Sequence, residues 1–146
     1  MRRESIGASD SALDWTRVLL AMEGAALSGV AIFAYSRFGG GWALFAALFF
    51  APDLSMLFYL AGPRLGAVAY NCLHVTFVPL VLAVLGFISA RPLLIQIALI
   101  QLAHIGFDRA LGFGLKYPTG FRDTHLGRAE YPLPPWRGRR TSPSGS

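Results

Sequence analysis

Charge is what this chain has least of. Charged residues make up 14% of its 146 positions, against about 25% in a soluble domain. Between residues 18 and 90 only four occur: Glu23, Arg37, Asp53 and Arg64. A stretch so apolar cannot form a water-facing surface, which excludes a soluble globular enzyme, a nucleic-acid-binding domain and a disordered chain. Cysteine is scarcer still. Cys72 stands alone, so no intrachain disulfide can form and thiol usage indicates no compartment. There is no internal repeat and no compact metal motif of the His-Glu-x-x-His kind. A cleavable leader is not expected either. Arg2 and Arg3 are followed by Glu4, Asp10 and Asp14, and the first apolar run, 18–36, is too long for a leader core and contains Glu23.

What the chain has instead is apolar length. It is 54% hydrophobic with a mean hydropathy of +0.49. A membrane-spanning helix needs about 20 mostly apolar residues, and four segments qualify, at about 17–36, 42–62, 65–90 and 92–111. The connectors are short and rich in Gly, Pro and Arg: Arg37-Phe38-Gly39-Gly40-Gly41, Gly62-Pro63-Arg64 and Ser89-Ala90-Arg91-Pro92. Short connectors make sequential segments antiparallel neighbours, so the expected fold is all-α: a single polytopic membrane domain over 15–115, built as a four-helix up-down bundle. Residues 1–14 read as a polar tail. Residues 131–146 read as a basic, Pro-rich tail that cannot build a core. Between bundle and tail, 116–130 mixes aromatics, glycines and charges, and reads either as an interfacial segment or as a lid beneath the bundle.

The basic residues orient the bundle. With the N-terminus inside, eleven Lys and Arg fall on the cytoplasmic side and only Arg37 and Arg91 on the other. Both termini are therefore expected in the cytoplasm. The net charge of +5 sits at the ends of apolar runs, which points to anionic lipid headgroups as partners rather than nucleic acid.

Ionisable residues inside spans cost roughly 2.5–3.5 kcal/mol each on insertion scales and seldom face lipid. Here they recur at one level. At a rise of about 1.5 Å per residue, Glu23, Asp53, Asn71, His74 and His104 each lie about 9–13 Å from the cytoplasmic ends of their spans, with Asp108 shallower. Asn71 and His74 share a helix face at i, i+3. Gln101, His104 and Asp108 form a stripe at i, i+3, i+7. Pro52 frees the carbonyl of Leu48 beside Asp53, and Pro79 frees that of Val75 beside His74. Such carbonyls need partners, often at a cavity. The expectation is one interior cavity in the cytoplasmic half lined by these groups. An interhelical hydrogen-bond cluster that merely glues the helices is the competing reading.

Three functional readings fit. A zinc-like divalent ion would take His74, His104 and one of Asp53, Asp108 or His125, with Glu23 or the spare carboxylate as general acid or base in a membrane-embedded hydrolase. A proton- or ion-coupled carrier would use Glu23, Asp53 and His74 as a relay and, with so few spans, would have to form a homo-oligomer. A structural or assembly subunit would do no chemistry. Gln101 and Arg109 complete the polar set, Arg109 as a boundary partner of Asp108.

Several motifs also resemble a known family. They are Ala51-Pro52-Asp53-Leu54-Ser55-Met56, then Ala61-Gly62-Pro63-Arg64-Leu65-Gly66 through Tyr70-Asn71 to His74, and His104-Ile105-Gly106-Phe107-Asp108-Arg109-Ala110-Leu111-Gly112 through Lys116-Tyr117-Pro118 to Thr124-His125-Leu126-Gly127. Together these are similar to domain of unknown function family 4260, small bacterial four-helix membrane proteins. The resemblance covers about 15–127. It implies the fold and marks Asp53, Asn71, His74, His104, Asp108, Arg109 and His125 as motif positions, and it implies no activity.

Overall fold

The computed structural model of the chain describes residues 15–38, 40–119, 123–124 and 127–128. The expected tails at 1–14 and 131–146 lie outside the described residues, as does His125. Helices dominate what is described: α1 Trp15–Arg37, α2 Trp42–Phe49, a 3-10 helix Ala51–Ala61, α3 Pro63–His74, α4 Phe77–Ile88 and α5 Pro92–Ala110. Two-residue strands β1 Asp123–Thr124 and β2 Gly127–Arg128 pair antiparallel. Three stretches are long and apolar enough to cross a membrane: Trp15–Arg37, Trp42–Ala61 and Pro92–Ala110. Helices α3 and α4, bent by 41°, make a fourth if the pair is one span.

The second and third apolar runs are thus not plain α-helices, and proline is the reason. Pro52 has no N–H to continue the α2 ladder. The chain tightens into three-residue turns, beginning with the Asp53 amide donating to the Phe50 carbonyl at 3.2 Å. Eleven residues of 3-10 helix is unusual, since its hydrogen bonds are poorer than those of the α form. Its three-fold repeat stacks side chains in rows. Leu54, Leu57 and Leu60 form one outward ridge, Leu60 at 89% exposure, while Pro52 and Ser55 are buried. Pro79 acts likewise on the third run. Val75 is extended (φ −82°, ψ 128°), and α4 starts afresh at Phe77. This break falls directly after His74.

Helix α5 is the centre of the molecule and packs against α1, α2 and α4. Short connectors lead to the expectation that sequential segments are the main neighbours, but α1 packs chiefly on α5, the last helix. Small residues decide this. On α1, Gly24, Ser28, Ala31 and Tyr35 are the buried residues, a stripe of mostly small side chains. A Cβ on Gly24 would lie 2.7 Å from the Gly106 carbonyl oxygen, and one on Gly106 would lie 2.6 Å from the Ser28 amide. Gly24-x3-Ser28 therefore meets Gly106-x3-Ala110 backbone to backbone, the packing used where no hydrophobic effect drives helices together. The two helices run antiparallel. Gly24 lies at Gly106, whereas the far end of α1 meets the start of α5, where the Gln96 amide donates to the Phe38 carbonyl at 3.3 Å. The outward surface is apolar, with Leu19, Met22, Val30, Phe33, Phe87 and Ile88 among its exposed side chains.

Candidate metal centre

Two helix breaks and one continuous helix meet at a single point. Asp53 stands just after the α2 break, His74 is the last residue of α3, and His104 and Asp108 lie one turn apart on α5. One ligand atom from each of Asp53, His74, His104 and Asp108 lies within 4.8 Å of the other three. His74 Nε2 is 3.1 Å from His104 Nε2. His74 Nε2 is 3.5 Å from Asp108 Oδ2 and 3.8 Å from Asp53 Oδ1. His104 Nε2 is 3.6 Å from each of the same two oxygens. His104 is 2% and His74 4% exposed, with Asp108 less exposed than Asp53.

One residue holds two of these groups. The Tyr70 carbonyl accepts from His74 Nδ1 at 2.8 Å. A carbonyl can only accept, so the proton is on Nδ1 and the Nε2 lone pair faces the cluster. The Tyr70 ring stacks on the His74 ring, centroids 3.7 Å apart and 11° from parallel. Its hydroxyl donates to Asp108 Oδ2 at 3.2 Å. The His104 ring meets Phe49 edge to face at 5.3 Å, and its Nδ1 is buried without a hydrogen-bond partner among the described residues.

The remaining polar residues build the frame. Gln101 donates to the Leu73 carbonyl at 2.9 Å, an acceptor that a continuous helix would have paired with Phe77. Arg109 donates to Thr76 Oγ1 at 2.7 Å. Both brace the break that aims His74. The Asn71 amide clamps the Lys116 backbone, donating to its carbonyl and accepting from its N–H, each at 2.8 Å. This ties the segment after α5 back across the domain, where Lys116 forms a β-bridge to Thr124. Lys116 Nζ lies 4.6 Å from the Tyr70 ring centre and 5.6 Å from that of Tyr59. Burial pushes its ammonium down to about 8, against the opposing pull of Asp108 and Asp53. Glu23 does not join the cluster. It is exposed on α1, since the α1 face that meets α5 is the Gly24 and Ser28 stripe. An expectation that every span contributes to one cavity wall thus fails for α1.

Tyr70, Thr76 and Lys116 escape a reading that looks only for ionisable groups at one depth. Tyr70 had a signal: it lies one turn before His74, hence on its face.

The fold and the site together describe an all-helical protein with three or four membrane-length spans and a His/Asp cluster able to bind a metal ion. The chain belongs to the family described as Domain of unknown function (DUF4260), whose model matches residues 17–129, in agreement with the motifs. No curated protein and no solved structure shows significant similarity to it.

Proposed function

We propose that this is a metal protein of the bacterial cytoplasmic membrane. In this reading it is a four-span up-down bundle that holds a zinc-like divalent ion between Asp53, His74, His104 and Asp108. One observation carries the reading. The four His–Asp separations, 3.5–3.8 Å, are too long for hydrogen bonds, which run about 2.7–3.2 Å. They fit the edges of a coordination shell instead. Metal–ligand bonds of about 2.0–2.2 Å set tetrahedral donors about 3.3–3.6 Å apart. Within the cluster only His74 Nε2 and His104 Nε2, at 3.1 Å, stand at hydrogen-bond distance, whereas polar groups that served only to glue helices would close their His–Asp contacts as well. The His74 Nδ1 bond to a carbonyl and the Asp108 bond to a tyrosine are the supports that metal ligands ordinarily have.

The chemistry follows from exposure. Asp53, the most exposed ligand and the one on a 3-10 helix, is the group that an incoming water or substrate oxygen displaces. Three ligands plus an open position is the catalytic arrangement, and the freed carboxylate is then placed to act as general base. Metal-dependent hydrolysis is the reaction class this supports. Protein purified from cells should carry about one zinc-like ion per chain, read by elemental mass spectrometry. A metal-free protein that cannot be loaded with zinc defeats the reading.

Tyr70→Phe isolates the supporting shell. It keeps the ring stack and the carbonyl and deletes only the hydroxyl bond to Asp108. Zinc affinity should fall about 10- to 100-fold, while stability drops by about 1 kcal/mol. Competition with a coloured chelator measures the first and thermal melting the second.

Topology has its own test. The antiparallel pairing of α1 with α5 supports both ends of the bundle lying on one side, and the excess of basic residues supports that side being the cytoplasm. A reporter fused at Ser146 should therefore read cytoplasmic and one inserted at Gly40 external. An external C-terminus would overturn the orientation.

A further inference from the structure

The four clustered side chains are not equally covered. Both histidines are buried and Asp108 is 15% exposed, whereas Asp53 is 38% exposed. The cluster therefore opens on the Asp53 flank, and that flank lies at mid-span. Asp53 belongs to the apolar stretch Trp42–Ala61. At about 2.0 Å per residue of 3-10 helix it stands about 16 Å from Ala61, close to the middle of a hydrocarbon core about 30 Å thick. The surface around it is apolar. Leu54, the next residue, is exposed, as is Phe50, whose carbonyl accepts from the Asp53 amide. Phe107, which precedes Asp108, is exposed too. Phe49 joins these outer rings to the site: its centroid is 5.2 Å from that of Phe50, 5.8 Å from Phe107 and 5.3 Å from His104. An aromatic collar thus runs from the outward surface to a buried member of the cluster. A second way in is much smaller. The recess lined by Tyr70, His74 and Asp108 together with Phe113 and Gly114 has room for about one water.

Resting on the reading of a membrane metal hydrolase, we propose that its substrate is an apolar carboxylic ester that enters sideways from the bilayer, its acyl chain against Phe50 and Phe107 and its ester group at Asp53. Depth selects the bond. A phosphate ester would carry its charge into hydrocarbon and an amide would carry an N–H, and both are costly there. A carboxylic ester carries neither. The recess beside Asp108 supplies the other reactant, a single water. In the step, Asp53 takes a proton from the water as its oxygen bonds to the acyl carbon. The bond from that carbon to the alkoxy oxygen breaks, the proton passes to the departing oxygen, and a carboxylic acid and an alcohol leave.

The experiment uses the full chain in vesicles of ether-linked phosphatidylcholine, a lipid without ester bonds, with zinc content measured first. Zinc-loaded protein is given 4-methylumbelliferyl oleate, which dissolves in the bilayer, and 4-methylumbelliferyl acetate, which dissolves in water and has the same leaving group. The oleate should be cleaved with a kcat/KM about tenfold higher or more. Phe50→Ala, which touches no ligand atom, should keep its zinc and lose about tenfold on the oleate through KM, with the acetate hardly changed. A second readout needs neither metal nor turnover. In the stripped protein, Asp53 should be modified by dicyclohexylcarbodiimide, which partitions into lipid, and spared by a water-soluble carbodiimide, as located by peptide mass spectrometry. Three results overturn lateral entry alone and leave the metal reading standing: acetate cleaved as well as oleate, a Phe50→Ala protein that handles oleate like the wild type, or Asp53 modified more readily from water than from lipid. A zinc-loaded chain that cleaves neither ester overturns hydrolysis and this inference with it. A chain that takes up no zinc overturns the metal reading and everything that rests on it.

Discussion

His104→Ala is expected to abolish metal binding while the helices stay assembled. The side chain supplies one of four converging donors, and its Nε2 lies 3.1–3.6 Å from the other three. Deleting a ligand should cost more than the 10- to 100-fold attached to a supporting residue, so zinc affinity should drop at least a hundredfold. Stability should change far less, because interhelical polar contacts in membranes average about 0.6 kcal/mol and alanine is cheap in an apolar bundle. The measurement is metal content of both proteins as purified, followed by melting of both after stripping with a chelator, so that bound metal does not itself raise the wild-type midpoint. Loss of metal with nearly equal stripped midpoints supports a metal centre. Metal-free wild type and variant that differ slightly in stability would leave only the glue. His74→Gln sharpens the comparison, since it keeps a hydrogen-bonding group of similar reach and removes an imidazole donor.

The second large effect is structural. Gly106→Val should prevent the bundle from assembling. A Cβ there meets the Ser28 amide at 2.6 Å and the Gly24 carbonyl oxygen at 2.7 Å. These are backbone atoms that cannot rotate away, so the penalty should exceed the ~1–3 kcal/mol usual for overpacking. Because α5 also carries His104 and Asp108, displacing it from α1 should disturb the His/Asp cluster, and with it the proposed metal site, as well. Gly29→Ala is the matched control: nothing lies within 4 Å of its Cβ position, so the change should be neutral or slightly stabilising. Size-exclusion profiles in detergent read both. A monodisperse, metal-bearing Gly106→Val protein would show that the close α1–α5 crossing is dispensable.

Much of this was written in the chain itself. Four apolar runs between Gly- and Pro-rich connectors gave the number of candidate spans to within the ambiguity of the bent pair. The cost of burial marked Asp53, His74, His104 and Asp108 as candidates, together with Glu23, Asn71, Gln101 and Arg109, before any contact was known, because hydrocarbon makes such residues expensive wherever they point. Pro52 and Pro79 announced irregular backbone for the same local reason: a missing N–H is a property of one residue.

Other features depended on three dimensions. Depth along a helix is a sequence coordinate, but azimuth around it is set by the neighbour. Glu23 shares the level of His74 and His104 and still faces outward, because the α1 surface that packs on α5 is the one with Gly24 and Ser28. Asn71 shares the level too, and Gln101 and Arg109 lie on the same helix as His104, yet their partners are the Lys116 backbone, the Leu73 carbonyl and the Thr76 hydroxyl, none visible without knowing which stretches of chain lie side by side. Tyr70 is the clearest case. Its role comes from a carbonyl, a ring face and a hydroxyl that act on two cluster residues 34 positions apart, and an uncharged tyrosine carries too little burial cost beside the ionisable groups to mark it out. The sequence by itself determined an apolar helical chain with costly groups at one height and breaks beside two of them. The tertiary structure alone decided which four groups meet, because convergence depends on how helices rotate and cross, and small residues on α1 and α5 set that rotation.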